Sequence, residues 1–234
     1  MLEDIIEILE EGNVVALTGA GISTSSGIPD FRSEDGLYKE YGYELFSYEF
    51  FKNHPDIFYE YIKKEFPKMY KANYNMSHKL LAELEEMGYL LGVITQNIDD
   101  LHNKAGSRNV IELHGNATHF YCEECERKYS FPKEYICSCG GLIRPDIVFF
   151  GEPVNDIDRV FELLDKAETL LVMGTSLQVY PASNFPVYVK ERGGILIIVN
   201  REETQYDNFA DFVLHMNVEE FSKKVLKYFE EEFD

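Results

Sequence analysis

No apolar stretch in this 234-residue chain reaches the ~20 residues needed to cross a bilayer, which excludes a membrane-spanning helix. Basic side chains are scarce: 22 Lys and Arg face 42 Asp and Glu, a net charge of −20. General binding to DNA or RNA depends on neutralising phosphates, so this deficit argues against a nucleic-acid binder. It suits a basic partner, such as a lysine-bearing protein or peptide drawn in by long-range attraction. Internal repeats and disordered linkers are also lacking. The start, Met1-Leu2-Glu3-Asp4, is acidic and enters a helical pattern directly, unlike a signal or transit peptide. The expected compartment is therefore the cytoplasm, where the four cysteines should not form disulfides. A monomer is expected.

The composition, 45% apolar and 27% charged, is that of a globular domain with room for a main core and a smaller insert. Short continuous apolar runs at Val14–Leu17, Tyr89–Thr95, Val110–Leu113, Leu170–Met173, Ile195–Val199 and Phe212–Leu214 read as strands. Between them lie helical patterns: Leu2, Ile5, Ile6 and Leu9 before Gly12, a helix from a Ser77 cap to Met87, Asp158–Glu168, Pro181–Arg192 and Val218–Phe233. Such alternation predicts an α/β fold, a Rossmann-like, mostly parallel sheet with helices on both faces. Two inserts interrupt it. The first, rich in Phe and Tyr from Leu45 to Met76, reads as short helices broken at Pro55 and Pro67. The second carries every cysteine.

Candidate chemistry gathers at the carboxyl ends of the strands, where ligands bind in open α/β sheets. The strand from Tyr89 ends in Thr95-Gln96-Asn97-Ile98-Asp99, rich in donors and acceptors, and the next ends at His114, which can move a proton near neutral pH. His78 and His102 have no such placement and read as structural or surface groups. The turn Thr18-Gly19-Ala20-Gly21-Ile22-Ser23 follows the first strand, its glycines allowing close approach of a pyrophosphate to free N–H groups. The dinucleotide fingerprint would need a third glycine where Thr24 stands, so this turn alone is a weak signal. A loop with Pro29, Asp30, Phe31 and Arg32 could cover a ligand. Gly174-Thr175-Ser176 and Asn200 close two further strands with groups suited to phosphate or ribose. Val148 to Glu152 reads as an extended edge, with Gly151 permitting close backbone approach.

Cys122-Glu123-Glu124-Cys125 and Cys137-Ser138-Cys139 form two close pairs, which read as a four-thiolate structural zinc site. The single-residue gap in the second pair is tighter than usual. Four cysteines leave no open position, so the metal should hold the fold and take no part in the chemistry.

In their order along the chain, the glycine turn Gly19–Ser23, the Gly27–Arg32 loop, Thr95–Asp99, His114-Gly115-Asn116, the cysteines, Val148–Glu152, Gly174–Ser176 and Val199-Asn200 resemble the sirtuins, NAD-dependent protein-lysine deacylases. The likeness covers essentially the whole chain and is strongest to compact bacterial and archaeal members. It implies a discontinuous NAD-binding domain of residues 1–32, 77–117 and 146–234. The small domain would comprise a helical module, 33–76, and a zinc module, 118–145. NAD is the implied co-substrate, with one structural Zn²⁺. Its pyrophosphate would lie on Gly19, Ala20, Gly21 and Ser23, with Thr24, Asp30 and Val218 also in the site and the adenosine ribose near Gly174, Thr175, Ser176 and Asn200. Phe31 and Arg32 would shield the nicotinamide ribose, which Gln96, Asn97, Ile98 and Asp99 would hold. The acyl oxygen attacks the ribose, nicotinamide leaves, and His114 acts as general base, with Asn97 the second catalytic residue. The acyl-lysine peptide would lie along Val148, Phe149, Gly151 and Glu152, bound largely through its backbone. Members that remove succinyl groups carry a Tyr-x-x-Arg pair, and the matching positions here hold Ile62 and Glu65, implying neutral acyl groups. Mono-ADP-ribosyl transfer to protein is the alternative from the same site. A hydride-transferring dehydrogenase or a zinc-ribbon nucleic-acid binder fits less well.

Overall fold

The computed structural model describes residues 1–30 and 36–233. In chain order the elements are α1 (Leu2–Glu11), β1 (Val14–Thr18), α2 (Leu37–Tyr41), α3 (Tyr48–Asn53), α4 (Pro55–Lys71), α5 (Met76–Glu86), β2 (Leu90–Thr95), α6 (Leu101–Ala105) and β3 (Val110–Glu112). There follow β4 (Gly115–Cys122), β5 (Lys128–Tyr129), β6 (Ile143–Ile147), α7 (Ile157–Leu164), β7 (Thr169–Met173), α8 (Phe185–Glu191), β8 (Ile195–Asn200), β9 (Phe212–His215) and α9 (Val218–Phe233).

Six strands form one parallel sheet in the order β3-β2-β1-β7-β8-β9. Side chains alternate across a strand, and here both faces are covered. Val14 and Ala16 of β1, Leu171 and Met173 of β7, and Ile197 and Val199 of β8 pack with α1, α5 and α9. Their neighbours Val15 and Leu17, Leu170 and Val172, and Leu196 and Ile198 pack with α7 and α8 on the opposite side. The continuous apolar runs of β1, β7 and β8 are thus doubly buried strands.

A third core unites the two inserts. Phe51, Phe58, Tyr59, Ile62 and Phe66 of the helical insert pack with Phe120, Cys122, Cys137 and Ile143 of the cysteine insert. The latter is a three-stranded antiparallel sheet, β5-β4-β6, which the periodicity of the sequence did not reveal. Its edge departs from expectation. The extended segment is Ile143–Ile147, while Val148 to Glu152 is a loop that turns at Gly151 (φ 98°) and pairs with Ser47 as an isolated bridge, through Phe150.

Pro67 does not break the helix. It lies inside α4, whose buried face of Phe58, Tyr59, Tyr61, Ile62, Phe66 and Met69 continues across it. A mid-helix proline costs about 3 kcal/mol, whereas burying each large apolar side chain contributes roughly 1.5–3 kcal/mol, so packing wins. Pro55 instead starts the helix at N1, where a missing N–H costs nothing. The cap of α5 is also displaced by two residues: Asn75, not Ser77, caps it, in a reciprocal box with the His78 side chain.

Candidate active site

The carboxyl ends of β1, β2, β3, β7 and β8 open onto one cleft of about 1140 Å³ between the main sheet and the small domain. Its walls include Gly19, Ala20, Gly21, Ser23, Thr24, Asp30, Gln96, Asn97, Ile98, Asp99, His114, Gly174, Thr175, Ser176, Asn200 and Val218. Val148, Phe149, Gly151 and Glu152 line it as well. Every described residue expected at the site is therefore in one place; Phe31 and Arg32 lie outside the described residues.

The glycines of the two turns serve a purpose in addition to the expected one. A β-carbon on Gly19 would lie 2.6 Å from the Thr175 Cβ, and one on Gly21 would lie 2.8 Å from the Gly174 carbonyl oxygen. The turns after β1 and β7 are pressed together, joined by a 2.8 Å bond from the Gly21 N–H to the Gly174 oxygen. Gly174 also takes φ 63°, which favours glycine. Close packing of protein on protein requires these residues, so the absence of a third glycine at Thr24 is no defect. The Thr24 hydroxyl donates to the Gly21 oxygen at 3.0 Å and braces the turn.

Behind the turn runs a directional chain of hydrogen bonds. The Asn75 N–H donates to His78 Nδ1 at 3.2 Å, so the ring proton sits on Nε2, 3.3 Å from Ser23 Oγ. Ser23 also accepts from Asn97 Nδ2 at 3.1 Å, and donates its own proton to Asp99 Oδ2 at 2.6 Å. Asn97 Nδ2 reaches the Gly19 oxygen at 3.1 Å as well, tying the Gln96–Asp99 segment to the glycine turn. Burial raises the pKa of Asp99 above the ordinary carboxylate value, against the bonds from Ser23 and Leu101. His102 lies beside His78, its Nε2 3.0 Å from Thr18 Oγ1. Both rings are buried and burial keeps both neutral, His78 with a pKa pushed down to about 4. They are structural groups, and neither is on the surface.

His114 is set differently. Its Nδ1 lies 2.9 Å from the Gln96 carbonyl oxygen, which can only accept, so Nδ1 carries the proton and Nε2 keeps a free lone pair. Burial lowers its pKa, the Gln96 carbonyl partly opposing the shift. At neutral pH the ring is therefore an uncharged base on the wall of the cleft. Gln96 spans the cleft floor, with Nε2 2.9 Å from Thr175 Oγ1.

Along the opposite wall two expected contacts are modified. The Phe149 ring is buried in the third core, stacked on Phe51 at 5.1 Å, leaving its backbone to the cleft. Glu152 is held by Arg144 through two bonds of 2.6 Å and accepts from the Phe149 N–H at 2.9 Å. Its carboxylate shapes the loop. Ile62 is fully buried in the small-domain core and does not line the cleft, whereas its neighbours Tyr61 and Glu65 do. The Glu65 carboxylate accepts from Tyr41 at 2.7 Å and from Lys68 at 2.8 Å. Sequence reasoning missed Val179 and Tyr180, which face the cleft from the segment after β7, Tyr180 with 75% of its surface exposed. Their place a few residues past the Gly174–Ser176 turn was the available signal. Asn200 reaches the cleft, with its amide donating to the Glu202 oxygen at 2.8 Å.

The four cysteine sulfurs lie within 4.8 Å of one another, with Cys122–Cys139 at 3.4 Å and Cys125–Cys137 at 3.7 Å. Tetrahedral zinc with bonds near 2.3 Å needs sulfurs about 3.8 Å apart, so the cluster fits zinc despite its tight second pair. The Tyr129 hydroxyl donates to Cys137 Sγ at 3.1 Å, an outer bond of the kind that orients metal ligands.

A doubly covered parallel sheet, paired glycine turns, a neutral histidine and a second layer in which four cysteines cluster define an enzyme of the sirtuin class. The chain belongs to the Sir2 family, whose model matches residues 19–181. It is 46% identical over 231 residues to the NAD-dependent protein deacetylase of Sulfolobus acidocaldarius, covering 94% of this chain and 92% of that one. It is 44% identical over 239 residues to the NAD-dependent protein deacetylase of Thermotoga maritima, covering 97% of each. A Sir2 structure with deacetylated p53 peptide and 3′-O-acetyl ADP ribose superposes with a TM-score of 0.93 at 44% identity, over 97% of this chain and 98% of that one.

Proposed function

We propose that this protein is an NAD-dependent protein-lysine deacetylase that moves an acetyl group from lysine to ADP-ribose, with water consumed and nicotinamide released. The observation that carries this reading is His114: neutral, its Nδ1 proton held by Gln96, with a free Nε2 at the cleft that also holds both glycine turns. In this role it accepts a proton from a ribose hydroxyl, a contribution typically of ~10²–10⁴-fold.

NAD fits the polar half of the cleft. The turn Gly19, Ala20, Gly21, Ser23 and Thr24 would take the pyrophosphate, with Asp30 and Val218 beside it. Gly174, Thr175, Ser176 and Asn200 would take the adenosine ribose. Gln96, Asn97, Ile98 and Asp99 would hold the nicotinamide ribose, Asn97 being fixed for that task by its bonds to Gly19 and Ser23. The acyl-lysine peptide would run between the loop of Val148, Phe149, Gly151 and Glu152 and the opposing Val179 and Tyr180. Cys122, Cys125, Cys137 and Cys139 would hold one structural zinc ion. Ile62 and Glu65 at the positions of the Tyr-x-x-Arg pair, with no arginine there to hold an acid, favour neutral acyl groups over succinyl or malonyl. The domain limits given above, a monomeric state, a cytoplasmic location and the absence of direct nucleic-acid binding complete the reading. Among the described residues no helix is long and apolar enough to cross a membrane.

Mass spectrometry of an acetyl-lysine peptide incubated with NAD and the protein tests it. Deacetylated peptide with O-acetyl-ADP-ribose is expected from the wild type and neither from His114→Tyr. Transfer of ADP-ribose to protein without deacetylation would favour the alternative and overturn the reading.

A further inference from the structure

His114 and Asp99 are carried by two backbone turns whose shape is controlled from outside the cleft. Asp100, between Asp99 and α6, sits in the left-handed region at φ 65°, unusual for a residue with a side chain. The Leu101 N–H beyond it donates to Asp99 Oδ1 at 3.0 Å, so the aim of the Asp99 carboxylate follows the conformation of Asp100. On the other strand, Glu112 and Asn116 flank His114 two residues before and two after, across a turn in which Gly115 takes φ 79°.

Four side chains lock these turns to each other. Asn116 Nδ2 donates to Glu112 Oε1 at 2.7 Å and to Asp100 Oδ1 at 3.2 Å. Asn103 Nδ2 donates to the same two oxygens, at 3.1 and 2.8 Å. The Asn116 oxygen accepts from the Thr118 N–H and hydroxyl at 2.9 and 2.6 Å, which fixes the amide's orientation. Two amides thus hold two carboxylates that water would otherwise keep apart, and the Glu112–Asn116 bond closes a ring around the His114 turn.

We propose that Glu112 is a positioning residue of the deacetylase: its Oε1, through Asn116, Asn103 and Asp100, sets the turns that aim His114 and Asp99. The inference rests on the assignment of those two residues to the active site. It implies a second consequence. Burial, together with the nearby charges of Asp100 and Asp99 and against the bonds from Asn116 and Asn103, raises the Glu112 pKa to about 7, so its charge changes near neutral pH. The other ionisable groups around it line the same small cleft: His119 and Asp146 on β4 and β6, and Asp156 and Arg159 at the start of α7.

The test compares wild type, Glu112→Gln, Glu112→Ala and Asn103→Ala in NAD-dependent deacetylation, with ¹⁵N-histidine NMR of each. Gln keeps an acceptor at the Oε1 position and loses the proton; Ala loses both. Glu112→Ala should lower kcat by about tenfold or more, with KM for NAD and peptide within about threefold, because misplacement of reacting groups falls on the chemical step. Glu112→Gln should hold kcat within about threefold and flatten its pH dependence between about pH 6 and 8. The His114 ring signals should move in Glu112→Ala and stay at wild-type positions in Glu112→Gln. Should Glu112→Ala not fold, Asn103→Ala removes half of the amide bonds from an exposed position, and kcat should fall by about threefold at constant Tm. Unmoved His114 signals, equal losses in Glu112→Gln and Glu112→Ala, or wild-type kcat in Asn103→Ala would each overturn the proposal. A wild type with no deacetylase activity would overturn the function assigned to the site, while the NMR comparison would still decide whether Glu112 orders the His114 turn.

Discussion

Glu152→Ala probes how the wall proposed for the peptide is built. The Glu152 carboxylate pairs with Arg144 through two 2.6 Å bonds and caps the Phe149 N–H. The Arg144 side chain is only 6% exposed, enclosed by the rings of Phe149, Tyr48 and Tyr121. Without Glu152 it would keep the Ile147 carbonyl at 2.6 Å and Glu123 at 3.6 Å, a weaker set. Breaking a buried ion pair from one side leaves a charge uncompensated and costs about 3 kcal/mol. For a chain of this size that corresponds to roughly 6–12 °C in Tm. The same change frees the Phe149–Gly151 backbone, so KM for an acetyl-lysine peptide should rise while KM for NAD stays near wild type. Urea unfolding and steady-state kinetics measure both. Adding Arg144→Met should restore part of the stability, since the stranded charge is then gone. A loss below about 1 kcal/mol, or a double variant less stable than Glu152→Ala, would refute the account.

Two further outcomes follow from other parts of the molecule. His78 is buried and neutral with a pKa near 4, below its ordinary value of 6.5, so the unfolded chain binds more protons at mildly acid pH. Its contribution is present above pH 6.5 and is lost as pH falls toward 4; between pH 7 and 5 wild type should lose about 2 kcal/mol more than His78→Asn, measured by urea unfolding at both values. Identical pH slopes for the two would show that His78 is not held neutral. Cys122→Ala, or removal of zinc by a chelator, should destabilise the small domain through the core that Cys122 and Cys137 share with Phe51, Phe58 and Phe120. Wild-type Tm together with absence of bound zinc in the purified protein would show that the cluster is no structural metal site.

Much of the site was legible because strand ends announce themselves. The runs that become β1, β2, β7 and β8 stop at Thr18, Thr95, Met173 and Asn200, and the polar groups just beyond them meet in one cleft because parallel strands bring their carboxyl ends to one edge. Two other walls, the loop from Val148 and α4, were less legible. The loop from Val148 owes its shape to Arg144 and Glu152, and α4 passes through Pro67 because Phe66 and Met69 are buried on either side of it.

By itself the sequence determined the fold class, the four-cysteine cluster and the placement of His114, since these rest on periodicity, spacing and order along the chain. Only the tertiary structure decided what each glycine is for, which histidines are neutral braces, and how Glu112 and Glu152 are engaged. These are contacts between residues tens of positions apart, such as Gly21 with Gly174 or His78 with Ser23. They depend on strand order and on which groups lose water on folding, and local pattern encodes neither.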